Sequence, residues 1–373
     1  MIIVMKADVA ADAPDLKRVI ALAESYPGIS TQLHRIQGAT RSVTEVYLLG
    51  PTGVVPSAPF EEFESVEKVV RVTQSFRAIG RHDGGLEAVG FLYNGVQISQ
   101  DTFHVFAGLC AVDTREHVEK TFGVLKALGI VTTRAGAYKP RSSPYDFQGL
   151  GSACLPWVFE LAGKYGIRIV AMEVTHEAHI GEILRALEAS GRATGVMLQI
   201  GTRNAQNFEL LKAVGQQTEL PVLFKRGMGI TLEESLNACE YVASGGNRKI
   251  VFCLRGMKTN LGDPHRNFVD FAHVPVVKRL TRLPVGVDPS HSVGRRTLGP
   301  DGLLDIFHVT AQGVIGGANM VLVDVHPKPE LALCDGPQAL LLEELPAFLE
   351  DVGIARRAYE ERRRRRGGDP VRA

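Results

Sequence analysis

Eight short apolar runs rich in β-branched residues recur from residue 105 onward, and most are separated by an amphipathic helical segment. They are Val105-Phe106-Ala107, Ile130–Thr133, Ile167–Met172, Val196–Ile200, Pro221–Phe224, Lys249–Cys253, Pro284–Val287 and Met320–Val323. Runs that are apolar throughout, rather than alternating, belong to strands covered on both faces, and intervening helices make such a sheet parallel. Eight repeats of this unit favour a closed (β/α)8 TIM barrel over an open sheet.

The first part of the chain reads differently. A strand at Ile2–Lys6, a helix at Pro14–Tyr26, strands at Ser30–Ile36 and Val43–Leu49, a helix at Phe60–Val69 and a strand at Arg71–Phe76 give the order βαββαβ. That is the split ferredoxin-like arrangement, so a small α+β domain is expected over residues 1–80. A linker is expected over residues 81–94, the barrel over 95–353 and a basic tail over 354–373. Gln97-Ile98 and Phe103-His104 around Ser99–Thr102 read as a short hairpin. The Arg362–Arg366 run, without aromatic partners, reads as a solvated, frayed end.

Composition narrows the function. Hydrophobic residues at 45% and charged residues at 22% are those of an ordinary soluble globular protein. A formal net charge of +1 gives no support for nucleic acid or membrane as the main partner. No apolar run approaches about 18 residues, and Met1–Lys6 is too short and wrongly flanked for a signal peptide, so a cytoplasmic location is expected. The 5 cysteines are widely spaced and contain no Cys-x-x-Cys pair, which argues against a disulfide framework or a zinc knuckle.

A barrel of this kind collects its chemistry just after its strands. Those positions hold Cys110; Arg134, Lys139 and Arg141; Glu173; Arg203 and Asn204; Lys225 and Arg226; Arg255; Asp288, Ser290 and His291; and Asp324 and His326. The loop from Arg134 to Gly151 alone carries Arg134, Lys139, Arg141, Ser142 and Ser143 among glycines and prolines. Cations gathered after several strands of a nearly neutral chain must converge on something anionic, and the rigid arginine fork suits phosphate and carboxylate. A substrate site for phosphate and carboxylate groups is expected. Cys110, His291, Asp324 and Asp335 add a thiolate, an imidazole and two carboxylates at one side of the barrel mouth, a mixture suited to Zn, Fe, Mn or Co.

The motifs in which these residues stand are Ala107-Gly108-x-Cys110, Arg134-x-Gly136-Ala137-Tyr138-Lys139-Pro140-Arg141-x-Ser143-Pro144-Tyr145-x-Phe147-Gln148-Gly149, Gln199-Ile200-Gly201-x-Arg203-Asn204, Pro221-Val222-Leu223-x-Lys225-Arg226-Gly227, Arg255-Gly256, Val287-Asp288-Pro289-Ser290-His291 and Val325-His326-Pro327-x-Pro329-Glu330-x-Ala332-Leu333-x-Asp335-Gly336. In this order they resemble 3-deoxy-D-arabino-heptulosonate 7-phosphate (DAHP) synthases, in the subgroup related to 3-deoxy-octulosonate 8-phosphate synthases. The resemblance is dense from residue 100 to about residue 345; residues 1–80 resemble that subgroup's ferredoxin-like regulatory domain.

The resemblance implies condensation of phosphoenolpyruvate with erythrose 4-phosphate, the entry step of the shikimate pathway. It implies that Arg203, Lys225 and Arg255 hold the phosphoenolpyruvate phosphate, and Arg134 and Lys139 its carboxylate. Arg141 and Ser142, with Asp288 nearby, take the aldose phosphate and orient its carbonyl. Lys139 is the expected proton donor and Glu173 the residue that positions or deprotonates water. One divalent metal ion is expected at Cys110, His291, Asp324 and Asp335. A homo-oligomer, dimer or tetramer, and an aromatic amino-acid effector at the N-terminal domain are also expected.

Four departures from the family pattern stand out. Gly-Pro-Cys is here Gly108-Leu109-Cys110, Glu-Arg-Gly is Leu254-Arg255-Gly256, the usual Glu before Val-His-Pro is Asp324, and Gly299–Asn319 is long. Asp in place of Glu retracts the carboxylate by about 1.5 Å, one C–C bond. Two other readings follow: a paralogue using another phosphorylated aldose, and a regulatory subunit with weak activity.

Overall fold

The structure, a computed structural model, describes residues 1–365 apart from 8, 11, 38–41, 73–75, 83–88 and 261–263. The chain divides into two compact units, residues 1–87 and 88–373.

The first unit contains β1 (Ile2–Met5), α1 (Pro14–Glu24), β2 (Ser30–Gln37), β3 (Ser42–Leu49), α2 (Ala58–Glu61) and β4 (Val66–Val70). Its antiparallel sheet has the order β2-β3-β1-β4, the ferredoxin-like arrangement expected from the sequence. Ile3, Met5, Leu16, Val19, Leu48 and Phe60 form its core between sheet and helices. The expected helix over Phe60–Val69 stops after one turn, and its second half is β4. Val66, Val69 and Val70 have helical spacing, but a valine-rich stretch prefers extended backbone, and the sheet supplies a partner in β1. Arg71 and Val72, expected in a strand, follow it, and the rest of that expected strand falls largely outside the described residues.

The second unit opens with a hairpin, β5 (Phe91–Tyr93) and β6 (Val96–Ile98). Asn94 and Gly95 form its turn with φ of 44° and 78°, the left-handed pair of a type I′ turn. The expected hairpin around Ser99–Thr102 is therefore displaced, and His104 instead begins the barrel. Phe91, Val96 and Ile98 pack on Phe106, Met197, Leu223 and Met320 near the starts of the barrel strands and close that end. Each such apolar side chain contributes about 1.5–3 kcal/mol when fully buried.

The barrel strands are β7 (His104–Leu109), β8 (Thr132–Ala135), β9 (Ile169–Val174), β10 (Gly195–Ile200), β11 (Val222–Lys225), β12 (Ile250–Leu254), β13 (Val285–Val287) and β14 (Met320–His326). All pair in parallel in chain order, and β14 returns to pair with β7, closing the ring of eight. Every expected barrel strand is present, within a few residues at either end. The helices outside them are α3 (Arg115–Ala127), α4 (Leu155–Tyr165), α5 (Ala178–Ala189), α6 (Phe208–Gln216), α7 (Leu232–Ser244), α8 (Val274–Leu280), α10 (Asp305–Ile315) and α11 (Leu345–Arg365), with a short α9 (Pro289–Val293) after β13. Thr114, Asn207 and Thr231 cap α3, α6 and α7 through their side chains, so each helix begins where its strand's loop ends. The expected frayed tail is helical as far as Arg365: α11 carries the arginine run, and residues 366–373 lie outside the described residues.

A two-residue strand, β15 (Leu340–Leu341), pairs with the end of β14. It turns the segment between them back across the barrel mouth, and that segment carries Cys334, Asp335 and Gln338. No helix among the described residues is long and apolar enough to cross a membrane.

Candidate active site

A cavity of about 210 Å³ opens at the C-terminal ends of the strands. Nine of the expected site residues line it: Lys139, Arg141, Ser142, Glu173, Arg203, Lys225, Arg255, His291 and Asp335. The remaining four, Cys110, Arg134, Asp288 and Asp324, are buried around it.

Strand geometry explains the depth of each group. Gly108 faces Arg134 in one ladder and Asp324 in the other. A Cβ at Gly108 would strike the Arg134 carbonyl, so glycine allows the close approach. Arg134 pairs with Asp324 and donates from Nη2 to the Cys110 sulfur at 3.4 Å. Asp324 also accepts from Gln338 Nε2 at 2.6 Å, which occupies its other oxygen. Glu173, at the end of β9, accepts from Lys139 Nζ at 3.4 Å and Gln199 Nε2 at 3.2 Å. Glycine at 201 leaves room for that carboxylate, since a Cβ there would collide with Glu173 Oε1.

Asp288 organises the opposite wall. It caps α9 by accepting from the His291 backbone N–H at 3.0 Å, holds the His291 ring at Nδ1, 2.9 Å away, and pairs with Lys225. Burial alone would push the His291 imidazolium down, but Asp288, helped by Asp324 and Cys110 against Lys225, raises its pKa to about 9. Burial likewise opposes the charge on Lys139, yet Cys110 and Glu173 carry it above the ordinary lysine range. Burial pushes the Asp335 carboxyl up, whereas its bond to His291 and the charges of His291, Lys139 and Arg266 hold it well below the usual carboxylate range.

The cations divide into two groups. Arg134, Lys139 and Lys225 have acidic partners, whereas Arg203 and Arg255 form no ion pair among the described residues. Arg203 donates to Ser142 Oγ at 3.4 Å, and the Arg255 Nε is buried without a hydrogen-bond partner. Burial lowers the Arg255 pKa, with Asp288 only partly offsetting it. Two guanidiniums without acidic partners on one polar cavity make a receptor for an anion such as phosphate. Arg226, by contrast, turns away to Asp270 at 2.8 Å.

Metal-ligating groups gather beside the anion receptor. The Cys110 sulfur lies 3.1 Å from Asp335 Oδ2 and 3.7 Å from His291 Nε2, and that nitrogen lies 3.7 Å from Asp335 Oδ2. Asp324 approaches the same imidazole only at Nδ1, at 3.7 Å. Ligand atoms of Cys110, His291 and Asp324 lie within 4.8 Å of one another, as do those of Cys110, Cys334 and Asp335. An Asp113–His117–His326 group, with Asp113 and His326 buried and His117 half-buried, forms a third cluster, with both rings on Asp113 Oδ2 at 3.0 and 2.8 Å.

Three participants escape a reading of strand ends. Arg266 lies in the long loop after β12, yet lines the cavity and binds Asp335 at 2.9 Å and Gln338 at 2.8 Å. Gln199 points inward from β10. Cys334 touches Asp335 Oδ2 at 3.1 Å and accepts from Arg141 Nη1 at 2.9 Å. A thiol adjacent to a candidate carboxylate ligand was the available signal for the last.

The fold and site define a (β/α)8-barrel enzyme with a cationic cavity suited to an anionic substrate, beside candidate donors for a metal ion. The chain belongs to the DAHP synthetase I family, whose sequence profile matches residues 79–357. It is 37% identical over 361 residues to phospho-2-dehydro-3-deoxyheptonate aldolase of Thermotoga maritima, covering 95% of this chain and 99% of that one. A crystal structure of the Thermotoga maritima DAHP synthase superposes with a TM-score of 0.69 at 36% identity, covering 96% of this chain and 97% of that chain. The 2-dehydro-3-deoxyphosphooctonate aldolase of Nitrobacter hamburgensis is more distant, at 25% identity over 66% of this chain and 85% of its own.

Proposed function

We infer that this chain is a DAHP synthase, joining phosphoenolpyruvate to erythrose 4-phosphate with water and releasing phosphate, at the entry to aromatic biosynthesis. The observation that carries the reading is Arg203 and Arg255, which have no acidic partner among the described residues, on the same cavity as Lys139, Glu173, His291 and Asp335, with Cys110 buried behind it.

In this reading Arg203, Lys225 and Arg255 hold the phosphoenolpyruvate phosphate. Lys139 meets its carboxylate, while Arg134 stands behind, fixing Cys110 and Asp324. Arg141 and Ser142 take the aldose phosphate. Asp288 acts indirectly, through Lys225 and His291, because it does not reach the cavity. Holding two polyanions against their mutual repulsion is a positioning task that preorganised cations perform without rearrangement.

The enol carbon C3 attacks the aldehyde carbon, and Lys139 delivers the proton that the nascent alkoxide needs. Water adds at C2, Glu173 takes its proton, and the C2–O bond to phosphate breaks. General acid or base help of this kind is worth about 10²- to 10⁴-fold in rate. Cys110, His291 and Asp335 fit a divalent ion, with Asp324 as the expected fourth donor. Donor atoms bound at about 2.0–2.3 Å in a tetrahedral site stand about 3.3–3.8 Å apart, close to the 3.1–3.7 Å among these three side chains. Such an ion, when bound, supplies Lewis acidity that polarises the aldehyde oxygen, and Mn, Fe, Co and Zn all suit the donor mixture.

Two further parts complete the proposal. The ferredoxin-like unit serves as a regulatory domain for an aromatic amino acid, supported by a relative whose similarity extends across it. The enzyme acts as a cytoplasmic homo-oligomer. The central test follows phosphoenolpyruvate loss with erythrose 4-phosphate, with and without Mn²⁺ and chelator. Metal-dependent loss with stoichiometric phosphate release is expected. No loss with any divalent metal, or faster loss with arabinose 5-phosphate, would overturn the assignment.

A further inference from the structure

We propose that Cys334, rather than Asp324, completes the metal site of this chain, giving the donor set Cys110, Cys334, His291 and Asp335. The inference rests on the reading above that the site holds a divalent ion.

The geometry separates the two candidates. Cys334 and Cys110 each lie 3.1 Å from the same oxygen, Asp335 Oδ2, so two sulfurs and one carboxylate face a common point. His291 Nε2 lies 3.7 Å from both Cys110 Sγ and Asp335 Oδ2. Asp324 approaches the imidazole on its other nitrogen, Nδ1, a position Asp288 already holds at 2.9 Å. Both Asp324 oxygens are also taken, one by Arg134 and one by Gln338. To reach an ion on Nε2, Asp324 would have to abandon those partners, whereas Cys334 already lines the cavity with Asp335.

The surroundings suit a second anionic sulfur. Arg141 Nη1 donates to Cys334 at 2.9 Å, as Lys139 donates to Cys110 at 3.2 Å. Each sulfur therefore has its own cation, and Arg266 binds the far oxygen of Asp335. The shortened carboxylate at 324 is thereby reassigned: it holds Arg134 and Gln338 in place while a soft donor enters from the β14–β15 segment. A site with two thiolates favours Zn, Co and Fe over Mn more strongly than a site with one.

X-ray absorption of the cobalt- or zinc-loaded wild-type protein tests this without a variant: two sulfur scatterers per metal, at about 2.3 Å, are expected. One sulfur would overturn the proposal while leaving a metal site in being. In parallel, the sulfur-to-cobalt charge-transfer absorption per bound Co²⁺ should fall by roughly half in Cys334→Ser and in Cys110→Ser, and stay near wild type in Asp324→Asn. Zinc affinity of Cys334→Ser should drop at least about tenfold. An unchanged band in Cys334→Ser with a lost site in Asp324→Asn would restore Asp324 as the ligand. Failure of the wild-type chain to bind cobalt or zinc stoichiometrically would sink the metal reading itself, and this inference with it.

Discussion

The two ends of the barrel are made from the same eight strands and have opposite chemistry. At the strand starts Phe106, Ile169, Met197, Leu223, Val251 and Met320 meet under the β5–β6 hairpin. At the strand ends the same elements lead to Cys110, Glu173, Gln199, Lys225, Arg255 and Asp324. Parallel strands bring all their beginnings together and all their endings together, so stability and chemistry separate along each strand rather than between strands. A residue's position along its strand, more than the strand it belongs to, sets what it does.

That separation can be broken from either end. The largest effect is expected for Lys139→Ala, which should lower kcat per folded molecule about 10²- to 10⁴-fold; turnover within a few-fold of wild type would remove Lys139 from the chemistry. At the closed end Phe91→Ala should destabilise the barrel unit by about 3 kcal/mol, with kcat per folded molecule unchanged. A fall in kcat matching the fall in stability would show that the two ends are coupled. Gly95→Ala places a side chain at a φ of 78° and should cost about 1–2 kcal/mol, read from the same midpoints.

The smallest expected effect is a pH slope at the closed end. Burial lowers the His104 pKa, and the bond from its ring to the Gln97 carbonyl at 2.8 Å only partly offsets this. Its folded-state pKa is therefore below the unfolded one, and between them the unfolded chain binds more protons. Stability should accordingly rise with pH through that window, at and just below the ordinary histidine value of about 6.5, and be reduced below it. His104→Gln should flatten the urea midpoint between about pH 5 and pH 7.5, and an unaltered slope would assign it to another group.

Most of the barrel was legible because a strand covered on both faces must be apolar along its length, and nothing else in a chain of this composition repeats that way eight times. What misled were patterns that two structures share. Val66, Val69 and Val70 satisfy a helical face and a strand equally, and only the neighbouring β1 decides between them. The Asn94-Gly95 pair, a stronger turn signal than Ser99–Thr102, marked the hairpin that closes the barrel. In the site, position after a strand identified the charged residues, but not which of them would satisfy one another. Arg134 and Asp324 meet across Gly108 and leave the cavity, whereas Arg255 keeps no acidic partner, and that difference belongs to packing. Arg266 was out of reach because a long loop has no period from which to infer where it returns.

The pairing of β14 with β7 has a consequence for how the enzyme is made. Cys110 and Asp335, whose side chains meet at 3.1 Å, are 225 residues apart, on either side of the seam where the ring closes. A nascent chain leaves the ribosome with Cys110 long before Asp335 has been synthesised, and Arg203, Lys225 and Arg255 also emerge first. Half-made barrels thus carry the cavity's cations but lack the complete group of candidate metal donors. In the proposed reading an ion would be acquired last, once translation has reached the end of the barrel and the seam has shut.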